Sequence, residues 1–170
     1  MTKPIYVLNG PNLNRLGRRE PEIYGTTTLP DIESMCRTEA GATPIEFRQS
    51  NSETELIDWV HDAIDNASAI VINPAAFSFT SIALLDALKM FAGPIIEVHI
   101  SNIHRREEIY HRSLVSKAAT GVIAGLGAEG YRHAVRFVLD RRTGAPPGSA
   151  RRRMNVAAGK RFKRGHATKS

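Results

Sequence analysis

Ile5-Tyr6-Val7-Leu8 and Ala69-Ile70-Val71-Ile72 are apolar at every position, with no alternation between polar and apolar residues. A strand of that kind has two faces to bury, and a parallel sheet with helices on both sides buries both. The rest of the chain supplies the remaining layers. Pro44 to Arg48 alternates as a strand does, Ile95 to Ile100 makes a fourth strand, and Thr120 to Ala124 a fifth. Between them, Thr28 to about Ala40 repeats Leu29, Ile32, Met35 and Cys36 at helical spacing, with Asp31 and Glu33 in the first turn. Ser52 followed by Glu55 has capping-box spacing and opens a helix with Leu56, Trp59, Val60, Ala63 and Ile64 on one face. Further helices are predicted from about Thr80 to Phe91 and from Ala128 to Leu139. Gly17, Pro21 and Gly25 mark a long loop after the first strand. The charged, weakly periodic stretch 101–116 fits a short helix with a loop as well as it fits a full helix. These elements make one α/β domain over residues 1–142, a five-stranded parallel sheet with helices on both faces.

The formal charge of +6 suggests a nucleic-acid partner until it is located. Ten Lys and Arg residues fall in 141–170, which has no Asp or Glu, so residues 1–140 carry −4. The segment 143–170 is rich in Gly, Pro, Ala and Arg, and is expected to be a disordered basic tail. Its clusters Arg151-Arg152-Arg153 and Lys160 to Arg164 suit nonspecific contact with a polyanion, although a solvated extension is the simpler reading. No apolar run approaches the ~20 residues of a membrane span. The N-terminus turns polar too early for a secretory signal, so the chain reads as cytoplasmic. Cys36, the single cysteine, falls on a helical pattern and reads as a small buried apolar residue.

Ligands of an open parallel sheet bind beyond the carboxyl ends of its strands, where strand order reverses. The residues there are Asn9 to Asn12, Asn73 to Ala76, and His99 to Asn102. Amides, a hydroxyl, an imidazole and exposed backbone suit a small polar organic substrate. The strand ends offer one His and neither a Cys nor a carboxylate cluster, so no metal site is expected. The chain has neither GxGxxG after the first strand nor GxxxxGK[ST] anywhere, which disfavours nucleotides.

The strand-end segments also carry a resemblance. Leu8 to Asn14, Gly17 to Gly25, Phe47 to Asn51 with Glu55 to Asp58, Ile72 to Ala76, Glu97 to His104 with Arg106-Glu107, and Gly121 to Gly127 together resemble type II 3-dehydroquinate dehydratases, in order over residues 4–139. The resemblance implies a flavodoxin-like fold, no cofactor, and assembly as a dodecamer, a tetramer of trimers. It implies trans elimination of water from 3-dehydroquinate through an enolate, within the shikimate pathway of aromatic amino acid biosynthesis. It assigns Tyr24 as general base, Arg19 as its activator, Asn12 as holder of the water that stabilises the enolate, and His99 as the acid. Asn73 and the backbone of Ile100 and Ser101 are expected to hold the carboxylate, Arg106 to contact substrate, and Asp86 to reach a neighbouring subunit's site.

Two positions depart from the family pattern, which places His where this chain has Phe79 and Arg where it has Tyr110. Both are expected to face the hydroxyl-bearing side of the substrate ring. Phe79 has no donor and Tyr110 has one, against five for arginine. Arg112 and His111 lie close enough in sequence to compensate. Three readings stay open: a working 3-dehydroquinate dehydratase, a dehydratase for a related cyclic hydroxy acid, and a weakly catalytic homologue that uses its oligomer and basic tail for binding.

Overall fold

The structure of the chain, a computed structural model, describes residues 2–18 and 20–142. The expected basic tail 143–170 lies outside the described residues, as does Arg19. Five parallel strands, β1 (Ile5–Asn9), β2 (Ile45–Gln49), β3 (Ala69–Asn73), β4 (Ile95–His99) and β5 (Gly121–Ala124), form one sheet in the order β2-β1-β3-β4-β5. This is the flavodoxin-like arrangement. Every residue of β1, β3 and β4 is buried, whereas β2 and β5 are partly exposed sheet edges.

Side-chain alternation sorts the central strands onto two helical layers. Ile5, Val7, Val71, Ile96 and Val98 pack with Ile32 and Cys36 of α2 (Leu29–Ala40) and with Tyr131, Ala134, Val135 and Val138 of α6 (Glu129–Arg142). Tyr6, Leu8, Ile70 and Ile72 face the other way, onto Leu56 and Val60 of α3 (Glu53–Asn66) and Leu84 and Leu88 of α5 (Ile82–Lys89). Each fully buried aliphatic side chain contributes roughly 1.5–3 kcal/mol of transfer free energy. Cys36 is fully buried, and that burial pushes its thiol up to about 12. No helix among the described residues is long and apolar enough to cross a membrane.

Several boundaries differ from expectation for local reasons. The segment after β1 is not wholly loop: Leu13–Arg15 forms a 3-10 turn and Pro21–Tyr24 a one-turn helix, α1. The helix predicted from Thr80 begins instead at Ile82, because the Ser81 hydroxyl accepts the Leu84 N–H at 2.8 Å as an N-cap. A separate turn, α4 (Phe77–Thr80), precedes it. At α3 the Ser52 cap is present, but the Glu55 carboxylate accepts the Ser50 hydroxyl, so the capping box is only half made. The complete box is at α2, between Thr28 and Asp31. The stretch 101–116 holds the 3-10 turns Ile103–Arg105 and Glu108–Tyr110, with a third at Val115–Lys117, and no α-helix.

Candidate active site

The order β2-β1-β3-β4-β5 reverses direction between β1 and β3, so the chain leaves these neighbouring strands to opposite sides and opens a crevice above them. The two turns at the crevice press together. The Gly10 N–H donates to the Asn73 carbonyl at 2.8 Å, and a Cβ on Gly10 would lie 2.3 Å from the Pro74 oxygen. Only glycine fits there. Asn12 follows with φ 67°, a left-handed conformation that asparagine tolerates, and its N–H donates to Asn51 Oδ1 at 2.9 Å. It is thus a turn former as well as a residue of the cleft.

The cleft is lined by Asn12, Leu13 and Leu16 after β1, by Asn73, Ala75, Ala76 and Phe79 after β3, and by His99, Ile100, Ser101, Ile103, Arg106 and Tyr110 at and after β4. The structure therefore brings together eight of the residues singled out from sequence: Asn12, Asn73, Phe79, His99, Ile100, Ser101, Arg106 and Tyr110. Tyr24 ends α1. Asp86 lies exposed on α5, outside the cleft of its own chain. Arg112 is exposed and does not line the cleft, and the His111 ring bonds the Arg106 carbonyl through Nε2 at 2.7 Å.

Beneath the cleft lie two polar networks that sequence reasoning missed. In the first, His99, 5% exposed, places Nε2 2.7 Å from Oε1 of the fully buried Glu97. Ser113 donates to the same oxygen at 2.5 Å, and Ser116 donates to Oε2. Burial pushes the Glu97 carboxyl up. The hydrogen bonds from His99, Ser113 and Ser116, and the attraction of His99, more than offset it, so the group is held below the usual carboxylate range. With Nε2 engaged, Nδ1 is the His99 nitrogen available to a ligand.

In the second network, the buried Tyr131 hydroxyl on α6 accepts from Asn73 Nδ2 at 2.9 Å and donates to Asn9 Oδ1 at 2.8 Å. Asn9 in turn donates to the Arg48 carbonyl at 3.1 Å, and Asn73 Oδ1 accepts the Ala75 N–H at 3.2 Å. Burial pushes the Tyr131 phenol far up, so it remains a neutral hydroxyl. The signal for both networks was present in the sequence, as an ionisable residue within a buried strand and a tyrosine on the core face of a helix.

A line of rings bounds the cleft on one side. Phe79 stacks against His99 with centroids 6.1 Å apart and planes at 27°. Tyr110 meets Phe79 edge-on at 5.3 Å, and the Arg106 guanidinium lies 3.9 Å from the Tyr110 ring centroid.

The sequence matches the family described as Dehydroquinase class II over residues 3–139. It is 58% identical over 136 residues to 3-dehydroquinate dehydratase 2 of Agrobacterium fabrum, covering 79% of this chain and 92% of that protein. It is also 58% identical over 138 residues to 3-dehydroquinate dehydratase of Streptomyces avermitilis, covering 79% and 87% respectively. Among solved structures, type II dehydroquinase from Propionibacterium acnes superposes with a TM-score of 0.78 at 51% identity, over 81% of this chain and 97% of that one. A 3-dehydroquinate dehydratase-like protein from Bifidobacterium longum superposes with a TM-score of 0.60 at 38% identity, over 81% and 95%.

Proposed function

The chain belongs to the class II dehydroquinase family, and on that premise we propose that it eliminates water from 3-dehydroquinate to give 3-dehydroshikimate, with a tyrosinate base and a histidine acid. The proton lost lies α to the ketone and the hydroxyl lost is β to it, so the electron pair rests in an enolate between the two steps. Tyr24 takes that proton. Its ordinary pKa near ~10 makes phenolate scarce at neutral pH. The guanidinium of Arg19, charged at every working pH, favours the ionised form.

A water held by Asn12 stabilises the enolate oxygen. His99 then gives a proton from Nδ1 to the departing hydroxyl, water leaves, and the carbon–carbon double bond forms. Glu97 supports this step: it accepts at Nε2 and fixes the ring so that Nδ1 is the nitrogen that carries the proton to the substrate. The substrate carboxylate is held by the backbone N–H groups of Ile100 and Ser101 and by the second Nδ2 hydrogen of Asn73, whose first goes to Tyr131. In a dodecamer of four trimers, Asp86 serves the site of a neighbouring subunit.

The observation that carries this reading is His99 at the cleft, paired with a buried glutamate beside the asparagines of two other strand ends. The test is enone formation from 3-dehydroquinate, followed by ultraviolet absorbance with purified protein. His99→Asn is expected to lower kcat by about 10²–10⁴-fold, the usual worth of a positioned general acid. No enone at millimolar substrate would overturn the reading. Light scattering of the purified protein tests the dodecamer separately.

A further inference from the structure

We propose that Phe79 and Tyr110 are specificity-determining residues, and that they shift this chain toward rings carrying fewer hydroxyls than 3-dehydroquinate. The inference rests on the reaction assigned above. Its geometric basis is the direction of the ring line. Starting at His99, it runs to Phe79, then to Tyr110, with Arg106 stacked on the Tyr110 face. The departing hydroxyl and the carboxylate sit on one carbon of the substrate, C1, and that carbon must lie at His99. C4 lies opposite C1 and C5 adjoins C4, so a substrate seated with C1 at His99 turns its C4–C5 edge toward this wall.

A wall meeting two neighbouring hydroxyls requires several convergent polar groups, and this one has few. Phe79 presents carbon only, and Tyr110 presents one hydroxyl. The Arg106 guanidinium is engaged with the Tyr110 ring and has its Nε 3.9 Å from the Glu107 carboxylate. A hydroxyl taken from water and set against Phe79 is left without a partner, a loss on the order of tenfold to a hundredfold in kcat/KM. A substrate with a CH₂ at that carbon loses nothing and gains contact with the ring.

The experiment compares kcat/KM of the full-length protein on 3-dehydroquinate and on its 4-deoxy and 5-deoxy analogues. At least one deoxy analogue is expected to match or exceed the parent. Phe79→His, which offers a donor at the same place, is expected to move the ratio toward the parent by about tenfold. Tyr110→Phe is expected to lower kcat/KM on the parent more than on the favoured analogue. A tenfold or larger preference of the wild-type protein for 3-dehydroquinate over both analogues would overturn the proposal while leaving the reaction intact. Turnover of none of the three would overturn the reaction itself, and this proposal with it.

Discussion

Tyr131→Phe removes one oxygen atom and tests whether the Asn73 amide of the cleft is aligned from below. The hydroxyl is fully buried and makes two hydrogen bonds, one from Asn73 Nδ2 and one to Asn9 Oδ1. Phenylalanine fills almost the same space, so the hydrophobic contribution of the ring is retained. What is lost is the partner of one buried donor and one buried acceptor, each worth roughly 1–3 kcal/mol when left unpaired. Each amide keeps a second hydrogen bond, Asn9 to the Arg48 carbonyl and Asn73 from the Ala75 N–H, so the planes do not swing freely. The expected loss is therefore about 2–4 kcal/mol, or on the order of 4–16 °C in Tm for a chain of this size.

The measurement is urea unfolding of wild type and variant at pH 7 with turnover recorded in parallel. The midpoint should fall with an unchanged slope, and KM should rise as the Asn73 amide loosens. A loss below about 0.5 kcal/mol, with kinetics unchanged, would mean that a water replaces the hydroxyl and that Tyr131 does not align the site.

Ser113→Ala combined with Ser116→Ala removes two donors from Glu97, and burial then raises the carboxyl, so the decline of the urea midpoint with falling pH should begin at higher pH than in the wild type. Glu97→Gln should lower kcat by about 10–150-fold, the worth of a hydrogen bond to a charged group. Folded Glu97 is held below its ordinary 4.5, so its stabilisation is full above that value and fades as pH falls through the lower folded one; urea midpoints from pH 6 to 3 should decline less steeply in Glu97→Gln. Tyr6 behaves in the opposite sense. Burial and the Asp62 carboxylate raise its phenol to about 12, so stability should fall between pH 10 and 12 by at most roughly 2–3 kcal/mol, and Tyr6→Phe should flatten that decline. Ending the chain after Arg142 should leave assembly and turnover unchanged, and an inactive or unassembled product would place 143–170 in the working molecule.

The sheet was legible because burial on two faces leaves a direct mark on composition: β1 and β3 are uninterrupted apolar runs, and both are buried at every position. The strand-end rule then located the cleft without reference to any relative, since it depends on topology alone. The connection after β4 was not legible, because consecutive 3-10 turns repeat every three residues in short pieces and leave no 3.6-residue period. Ser113 and Ser116 look like ordinary loop residues in sequence, and their role depends on Glu97, which they meet only through the fold. The missed half-box at α3 has the same origin: Ser50, two residues before the cap, competes successfully for Glu55.

Glu97 has a consequence for how the molecule opens. Its two oxygens bind a strand residue and two residues of the β4–β5 connection, so the connection cannot lift away without stripping donors from a carboxylate inside the sheet. Local opening there carries the free-energy penalty of an uncompensated buried charge, which lifts it toward the cost of opening the sheet. Amide exchange should record this as matched protection: Leu114, whose N–H donates to the Ser78 carbonyl, and Ala118, whose N–H donates to the Val115 carbonyl, should exchange nearly as slowly as the central strands, despite lying outside the sheet and the α-helices. The segment that supplies one wall of the cleft is thus part of the same cooperative unit as the sheet beneath it.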